Sequence, residues 1–237
     1  MKRAIITGIS GQDGAYLARL LIEKGYEVTG IVRSSSHPLA NLVKLKIKSK
    51  VIILQSNLTD LSSVLKMIKI VKPDEIYNLA AQSSVYHSFQ EPIGTISYNM
   101  ISVLNILESI KILNEKIRFY QASSSDMFGN VSSLPITLET PMKPISPYAV
   151  SKASAYWTLV SYRESYGLFA ASGILFNHES ILRTKTFFIK KVISDSVDIS
   201  LRLKEKLYIG NIDIKRDFGS AEKYVEAMWL MLQEDKP

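Results

Sequence analysis

The sequence predicts an α/β protein: a doubly wound parallel sheet with helices on both faces, followed by a smaller C-terminal region. Three observations carry this. Short apolar runs alternate with helix-length segments from residue 3 to residue 176. A glycine-rich turn falls between the first run and the first helix. The apolar runs are nearly continuous rather than alternating, which marks strands covered on both faces. The alternation weakens after Phe176, so the chain divides into a sheet domain over 1–175 and a smaller region over 176–237.

The elements follow in order. Residues 3–7 (RAIIT) read as a buried strand and 14–24 as a helix ended by Gly25. Strands are expected at 27–32 (EVTGIV) and 51–55 (VIILQ), then a helix from about Asp60 to Val71, stopped ahead of Pro73. A strand at 75–80 (EIYNLA) precedes a long helix at 92–113, and another strand is expected at 117–122 (IRFYQA). Ser146 caps a helix whose first position is Pro147 and which runs to Gly167. The last buried strand is 169–176 (FAASGILF).

Composition narrows the function. The chain is 46% hydrophobic, enough for a real core, and its 22% of charged residues is too few for a disordered chain. It has no cysteine, which excludes a disulfide framework, thiolate zinc and a cysteine nucleophile, and which suits a cytoplasmic setting. The first residues stop in Gly8 and Ser10 too soon for a signal peptide. No segment is expected to reach the apolar length of a membrane span. The net charge of +7 is spread out. Its one cluster, Lys44, Lys46, Lys48 and Lys50, reads as a solvated face, and no nucleic-acid motif accompanies it. The excess charge suits a phosphorylated small ligand.

The turn Thr7-Gly8-Ile9-Ser10-Gly11-Gln12-Asp13-Gly14 has the spacing G-x-x-G-x-x-G. Glycines there let the backbone approach a pyrophosphate seated on the helix N-terminus. The second strand ends at Arg33, with no acid beside it to bind a ribose 2′-hydroxyl; Arg33 with Ser34 and Ser35 suits a 2′-phosphate, so NADP is the expected cofactor. Tyr148 and Lys152 form Y-x-x-x-K on one helical face, where an ammonium is expected to lower the phenol pKa. The strand ending in Ser123-Ser124-Ser125-Asp126 adds a hydroxyl to that pair. His178 and Glu179 read as a hydrogen-bonded structural pair, and no metal is expected.

The stretches TGISGQDGAYLARLLIEKGYEVTGIVR, PDEIYNLAAQSSV, RFYQASSSDMFG, SPYAVSKASAYW, SYRESYG, GILFNHES and RDFGSAEKYVEAMWLMLQ together resemble the extended short-chain dehydrogenase/reductases. The last two point to their GDP-mannose 4,6-dehydratase branch. The resemblance implies a Rossmann domain and a redox-neutral loss of water from GDP-mannose, a hydro-lyase reaction of nucleotide-sugar metabolism. It implies Ser124, Asp126, Tyr148 and Lys152 as the catalytic set, with Tyr148 the base at the sugar 4-hydroxyl. It implies that Gly8, Gly11, Gln12, Asp13, Gly14, Arg33, Asn57 and Leu58 hold the cofactor with Tyr148 and Lys152. Ser83, Asn177, Lys191 and Arg216 would hold the substrate. It also implies assembly into a dimer or tetramer through the helices at 92–113 and 147–166.

The chain departs from the branch at several positions. Asp126 stands where the branch carries a glutamate, Asn57 where it carries an aspartate, and Ser34 where a second arginine is common. Ser84 and Ser220 replace histidines. The branch continues well past the position of Pro237, so the substrate region is expected to be incomplete. Two other readings stand beside the dehydratase: a nucleotide-sugar epimerase or reductase on the same scaffold, and a homologue that only binds cofactor.

Overall fold

The computed structural model describes residues 1–237. Its elements run β1 (Arg3–Thr7), α1 (Gln12–Glu23), β2 (Glu27–Val32), α2 (Ala40–Lys44), β3 (Ile52–Gln55), α3 (Leu61–Val71), β4 (Glu75–Asn78), α4 (Val85–Gln90), α5 (Pro92–Leu113), β5 (Arg118–Ser124), α6 (Pro147–Tyr166), β6 (Ala170–Leu175), β7 (Asn177–Glu179), α7 (Phe188–Ser200), β8 (Phe218–Ser220) and α8 (Ala221–Met231). Six parallel strands form one sheet in the order β3-β2-β1-β4-β5-β6, and β7 pairs with β8 in a second, two-stranded sheet. The order reverses beside β1, between β1 and β4, and such a switch point opens a crevice at the strands' carboxyl ends.

Local signals in the sequence place these elements. Asp60 accepts the amide of Ser62 at 3.1 Å and starts α3. Ser146 accepts the amide of Ala149 at 3.1 Å, Pro147 opens α6, and Gly167 closes it with φ 66°. The strand expected over 75–80 ends at Asn78, because the amides of Leu79 and Ala80 turn to the Thr7 hydroxyl, both at 3.1 Å. The strand at 117–122 extends instead to Ser124, paired along β6. Helix α7 and the β7–β8 pair were not expected from the sequence.

Two apolar layers cover the sheet. One includes Tyr16, Leu17 and Leu21 of α1 with Val225 and Met228 of α8; the other includes Ile68 of α3, Ile106 and Ile110 of α5 and Leu159 of α6. Helix α8, although late in the chain, thus completes the layer of α1.

One expectation fails here. Helix α5 is long and apolar enough, by length and composition, to cross a membrane. Its apolar residues are committed elsewhere: Val103, Ile106, Leu107 and Ile110 are buried in the second layer. Its two buried asparagines are paired within the fold, Asn99 donating to the Ser151 hydroxyl at 2.9 Å and Asn105 to the Leu58 carbonyl at 3.0 Å. A sheet-covering helix and a spanning helix share length and apolarity; the buried amides belong to the first. The lysine cluster at 44–50 is exposed, on the end of α2 and a following 3₁₀ turn.

Candidate active site

The glycine loop turns because its backbone has to. Gly8 has φ 70°, and a Cβ there would lie 2.9 Å from the backbone of Leu79 and Ala80. A Cβ on Gly14 would run into the Gly8 carbonyl. The loop is therefore pressed between the start of α1 and the segment after β4, at a helix N-terminus, with its Gly11 amide closing the turn onto the Gly8 carbonyl at 3.0 Å. Thr7 locks the two strand ends together through Asn78 Oδ1 at 2.5 Å.

From this loop a cavity of about 1130 Å³ runs along the carboxyl ends of the strands. It brings together most residues singled out from the sequence. Gly8, Gly11, Gln12, Asp13, Gly14, Arg33 and Leu58 line one end; Ser124, Asp126, Tyr148 and Lys152 line the middle; Ser83 and Asn177 also line it. The size and the glycine cradle fit a dinucleotide.

Three of the singled-out residues are not on its lining. Asn57 is exposed and closes its own turn, accepting from the Thr59 amide at 3.1 Å and hydroxyl at 2.9 Å. Lys191 donates to the Tyr208 carbonyl at 2.7 Å. Arg216 is exposed and donates to the Lys215 carbonyl at 2.9 Å, although its charge reaches Asp126.

Tyr148 and Lys152 are both buried, on the first turns of α6. Lys152 Nζ donates to the Ala122 carbonyl at 2.7 Å and stands 5.8 Å from the centre of the Tyr148 ring. Burial brings the lysine down to about 8. Burial also pushes the Tyr148 phenol up to about 12, against the opposite pull of the Ser124 hydroxyl. This corrects the expectation of a phenol lowered by its lysine. The sequence shows the shared helical face, but desolvation sets the direction of both shifts.

Asp126 follows β5 on a 3₁₀ turn whose first amide is capped by Ser124 Oγ at 3.2 Å. The cap is thus made by Ser124. The Asp126 carboxylate itself makes no hydrogen bond and opens into the cavity. Its residue is solvent-accessible, yet the surrounding walls raise the carboxyl above its usual range, with Arg216 pulling it back. A free carboxyl of raised pKa beside a phenol is equipped to exchange protons at a bound ligand.

Three further residues line the cavity without having been singled out for it. Arg183 packs its guanidinium 3.6 Å from the centre of the Phe187 ring and pairs with Glu179 at 3.6 Å. His178 pairs with Asp13, not with Glu179. His37 meets the Ser10 hydroxyl at 2.8 Å. No residue pattern announces any of these, since each partner is distant in sequence or lies in an irregular segment. Arg33 is exposed at the end of β2, its guanidinium 5.6 Å from the centre of the Tyr98 ring.

A family model described as GDP-mannose 4,6 dehydratase matches residues 5–237. A GDP-mannose 4,6-dehydratase of Yersinia enterocolitica is 46% identical over all of this chain and 66% of its own length. GDP-mannose 4,6 dehydratase 2 of Caenorhabditis elegans is 46% identical over all of this chain and 64% of its own. The chain therefore spans slightly less than two thirds of these relatives. Among solved structures, a UDP-N-acetylglucosamine 4-epimerase from Methanobrevibacter ruminantium superimposes with TM-score 0.86 at 27% identity, covering 99% of this chain and 74% of that one. A dTDP-glucose 4,6-dehydratase from Streptomyces venezuelae, solved with NAD, gives TM-score 0.86 at 20% identity over 99% of this chain and 73% of that one, a likeness of fold alone.

Proposed function

The chain belongs to the GDP-mannose 4,6-dehydratase family, and we propose that it carries that family's reaction, converting GDP-mannose to its 4-keto-6-deoxy product by redox-neutral loss of water. The observation that carries the reading is the unpaired Asp126 carboxyl, opening into one cavity with Ser124, Tyr148 and Lys152.

Gly8, Gly11, Gln12, Asp13 and Gly14 hold the cofactor pyrophosphate side, and Arg33, Asn57 and Leu58 its adenosine side. NADP is the cofactor we infer, because Arg33 and no acid ends β2. The nicotinamide ring, when bound, supplies a two-electron acceptor and, while oxidised, a positive charge that favours phenolate. Tyr148 takes the proton from the sugar 4-hydroxyl, oriented by Ser124. Lys152, donating to Ala122 and close to neutral in pKa, follows the phenol's charge. Removal of hydride from C4 would leave a 4-keto group that acidifies the C5 proton. Asp126 takes that proton and passes it to the departing 6-hydroxyl, which leaves as water, and return of the hydride at C6 with a proton at C5 would close the redox-neutral balance. The raised pKa of Asp126 lets one group perform both transfers. Ser83 and Asn177 hold the substrate from the lining, and Lys191 and Arg216 its diphosphate, the last two by moving from their present carbonyl partners.

The sheet region over 1–175 is read as the NADP-binding unit and 176–237 as part of the substrate region. The reaction is placed in the cytoplasm, without nucleic-acid or membrane partners. Pairing of two copies through α5 and α6 is inferred from their exposed Ile93, Ile112, Trp157 and Tyr166.

The test is a single-turnover reaction of the chain with GDP-mannose, following reduced-cofactor absorbance and product mass. Asp126→Asn is expected to stop loss of water by about 10²–10⁴-fold while reduced cofactor still forms. Asp126→Glu keeps or raises activity, and Tyr148→Phe abolishes both signals. Undiminished dehydration by Asp126→Asn removes Asp126 from the role. An epimerase would instead oxidise C4 and never lose water.

A further inference from the structure

On the cleft wall, one histidine–aspartate pair joins α1 to β7. His178, at the centre of β7, is buried. Its Nδ1 lies 2.7 Å from the Phe176 carbonyl oxygen and its Nε2 2.8 Å from Asp13 Oδ2. A carbonyl oxygen only accepts, so Nδ1 carries a proton. The other Asp13 oxygen accepts from the Gln12 side-chain amide at 3.0 Å, so the carboxyl is held from both sides. Against the cost of burial, the contacts to Asp13 and to the Phe176 carbonyl favour the charged ring. Tyr224 of α8 stacks on it, with centroids 4.4 Å apart and planes 17° apart.

Two neutral contacts run alongside. Gln12 Nε2 donates to the His178 carbonyl at 3.2 Å, and the Ser180 hydroxyl donates to Gln12 Oε1 at 2.8 Å. The first turn of α1, directly after the glycine loop, is laced in this way to β7. Anchoring His178 to α1 fixes the strand that also carries Asn177, and both residues line the cavity.

We propose that His178 and Asp13 form a positioning couple, an imidazolium–carboxylate clasp that holds the dinucleotide loop and the substrate-side strand β7 in one geometry. Occupancy at one end thereby tightens binding at the other. The inference rests on reading the glycine loop as the dinucleotide site. The groups facing the ring are Asp13 from α1, Glu179 on β7, Arg183 beyond it and Tyr224 from α8. Asp13 favours the cation and Arg183 opposes it. As pH rises past the ring's midpoint the clasp opens and the coupling is lost.

The test uses the full chain and two probes, NADP+ and GDP. The chain has three histidines, so side-chain nitrogen NMR reads each one. The His178 midpoint is expected to lie above the ordinary histidine value, with Asp13→Asn lowering it and Asp13→Glu lowering it less. Calorimetry is expected to show GDP binding about tenfold tighter with NADP+ bound, a coupling of the usual allosteric size. That gain falls below twofold in Asp13→Asn, returns in part in Asp13→Glu, and fades in the unsubstituted protein above the His178 midpoint. The pH series stands even where a variant does not fold. A His178 midpoint at or below the ordinary histidine value, or coupling that is absent or unchanged across the pH series, overturns the clasp alone. If neither NADP+ nor NAD+ binds the unsubstituted chain, the dinucleotide reading falls and the clasp with it.

Discussion

Helices α1 and α7 have 12 and 13 residues and both are amphipathic, yet α1 buries seven residues and α7 buries none. Helix α1 leaves β1 through a tight loop and is returned onto the sheet, where Leu17 and Leu21 meet α8 and the strands. Helix α7 leaves the sheet altogether. Its Ile193, Val197 and Leu201, four residues apart on one face, stay half or more exposed. Polar tethers hold its surroundings instead: Lys204 to Asp195 at 2.6 Å and Lys191 to the Tyr208 carbonyl at 2.7 Å. An apolar period states that a helix has a side to bury; connection length and the neighbouring surface decide whether it is buried. The dinucleotide end of the cleft is accordingly built on a packed layer, and the flank that α7 provides is built on surface contacts.

Core truncation is the sharpest way to test the contrast. Leu17→Ala is expected to cost about 3–4 kcal/mol in urea unfolding, the range for a fully buried leucine, whereas Ile193→Ala should stay within about 0.5 kcal/mol. Comparable losses at the two positions would mean that the α7 face is covered in solution.

A smaller effect, of opposite sign, comes from the middle of the cleft. A lysine whose folded pKa is depressed costs stability below that pKa and ceases to do so as pH rises through the unfolded value. Lys152, lowered to about 8, therefore destabilises the fold at neutral pH. Lys152→Met should raise stability at pH 7 by about 1–2 kcal/mol, the relief of the charge less the lost bond to Ala122, and the gain should vanish near pH 10–11. Parallel thermal melts over that pH range check it; a loss of stability at pH 7 would show the ammonium to be well compensated.

His178 has the reverse sign. Burial lowers its pKa, the Asp13 contacts outweigh that, and the net shift is upward. Its stabilising charge is fully present below about 6.5 and lost as pH climbs through the raised value. His178→Asn should thus cost more stability at pH 6 than at pH 9. An equal cost at both pH values removes the ion pair from the account.

The adenosine end should respond least in stability and most in selectivity. Arg33 is exposed, so Arg33→Ala leaves the melting temperature almost unchanged. It should nonetheless weaken NADP+ relative to NAD+ by about tenfold, the worth of roughly one charge-assisted contact. Titration of both cofactors against both proteins measures it; equal or tighter NAD+ binding by the unsubstituted chain ends the NADP reading.

The sequence alone determined the layered part of this protein, because its signals there are local. Gly8 and Gly14 announce a backbone pressed against a neighbour, Ser146 and Pro147 start a helix on their own chemistry, and near-continuous apolar runs require a sheet covered on both faces. Ser124, Tyr148 and Lys152 were legible for the same reason: a strand end and a helical face four residues apart are short-range facts. Only the tertiary structure decided what depends on distant partners. It placed α8 in the layer of α1, buried α5 in spite of its membrane-like composition, and joined His178 to Asp13 across 165 residues. It also set the protonation of the cleft, since desolvation of Tyr148, Lys152 and Asp126 is a property of the surrounding walls, which converge on the site from β5, α6 and segments far apart in the chain.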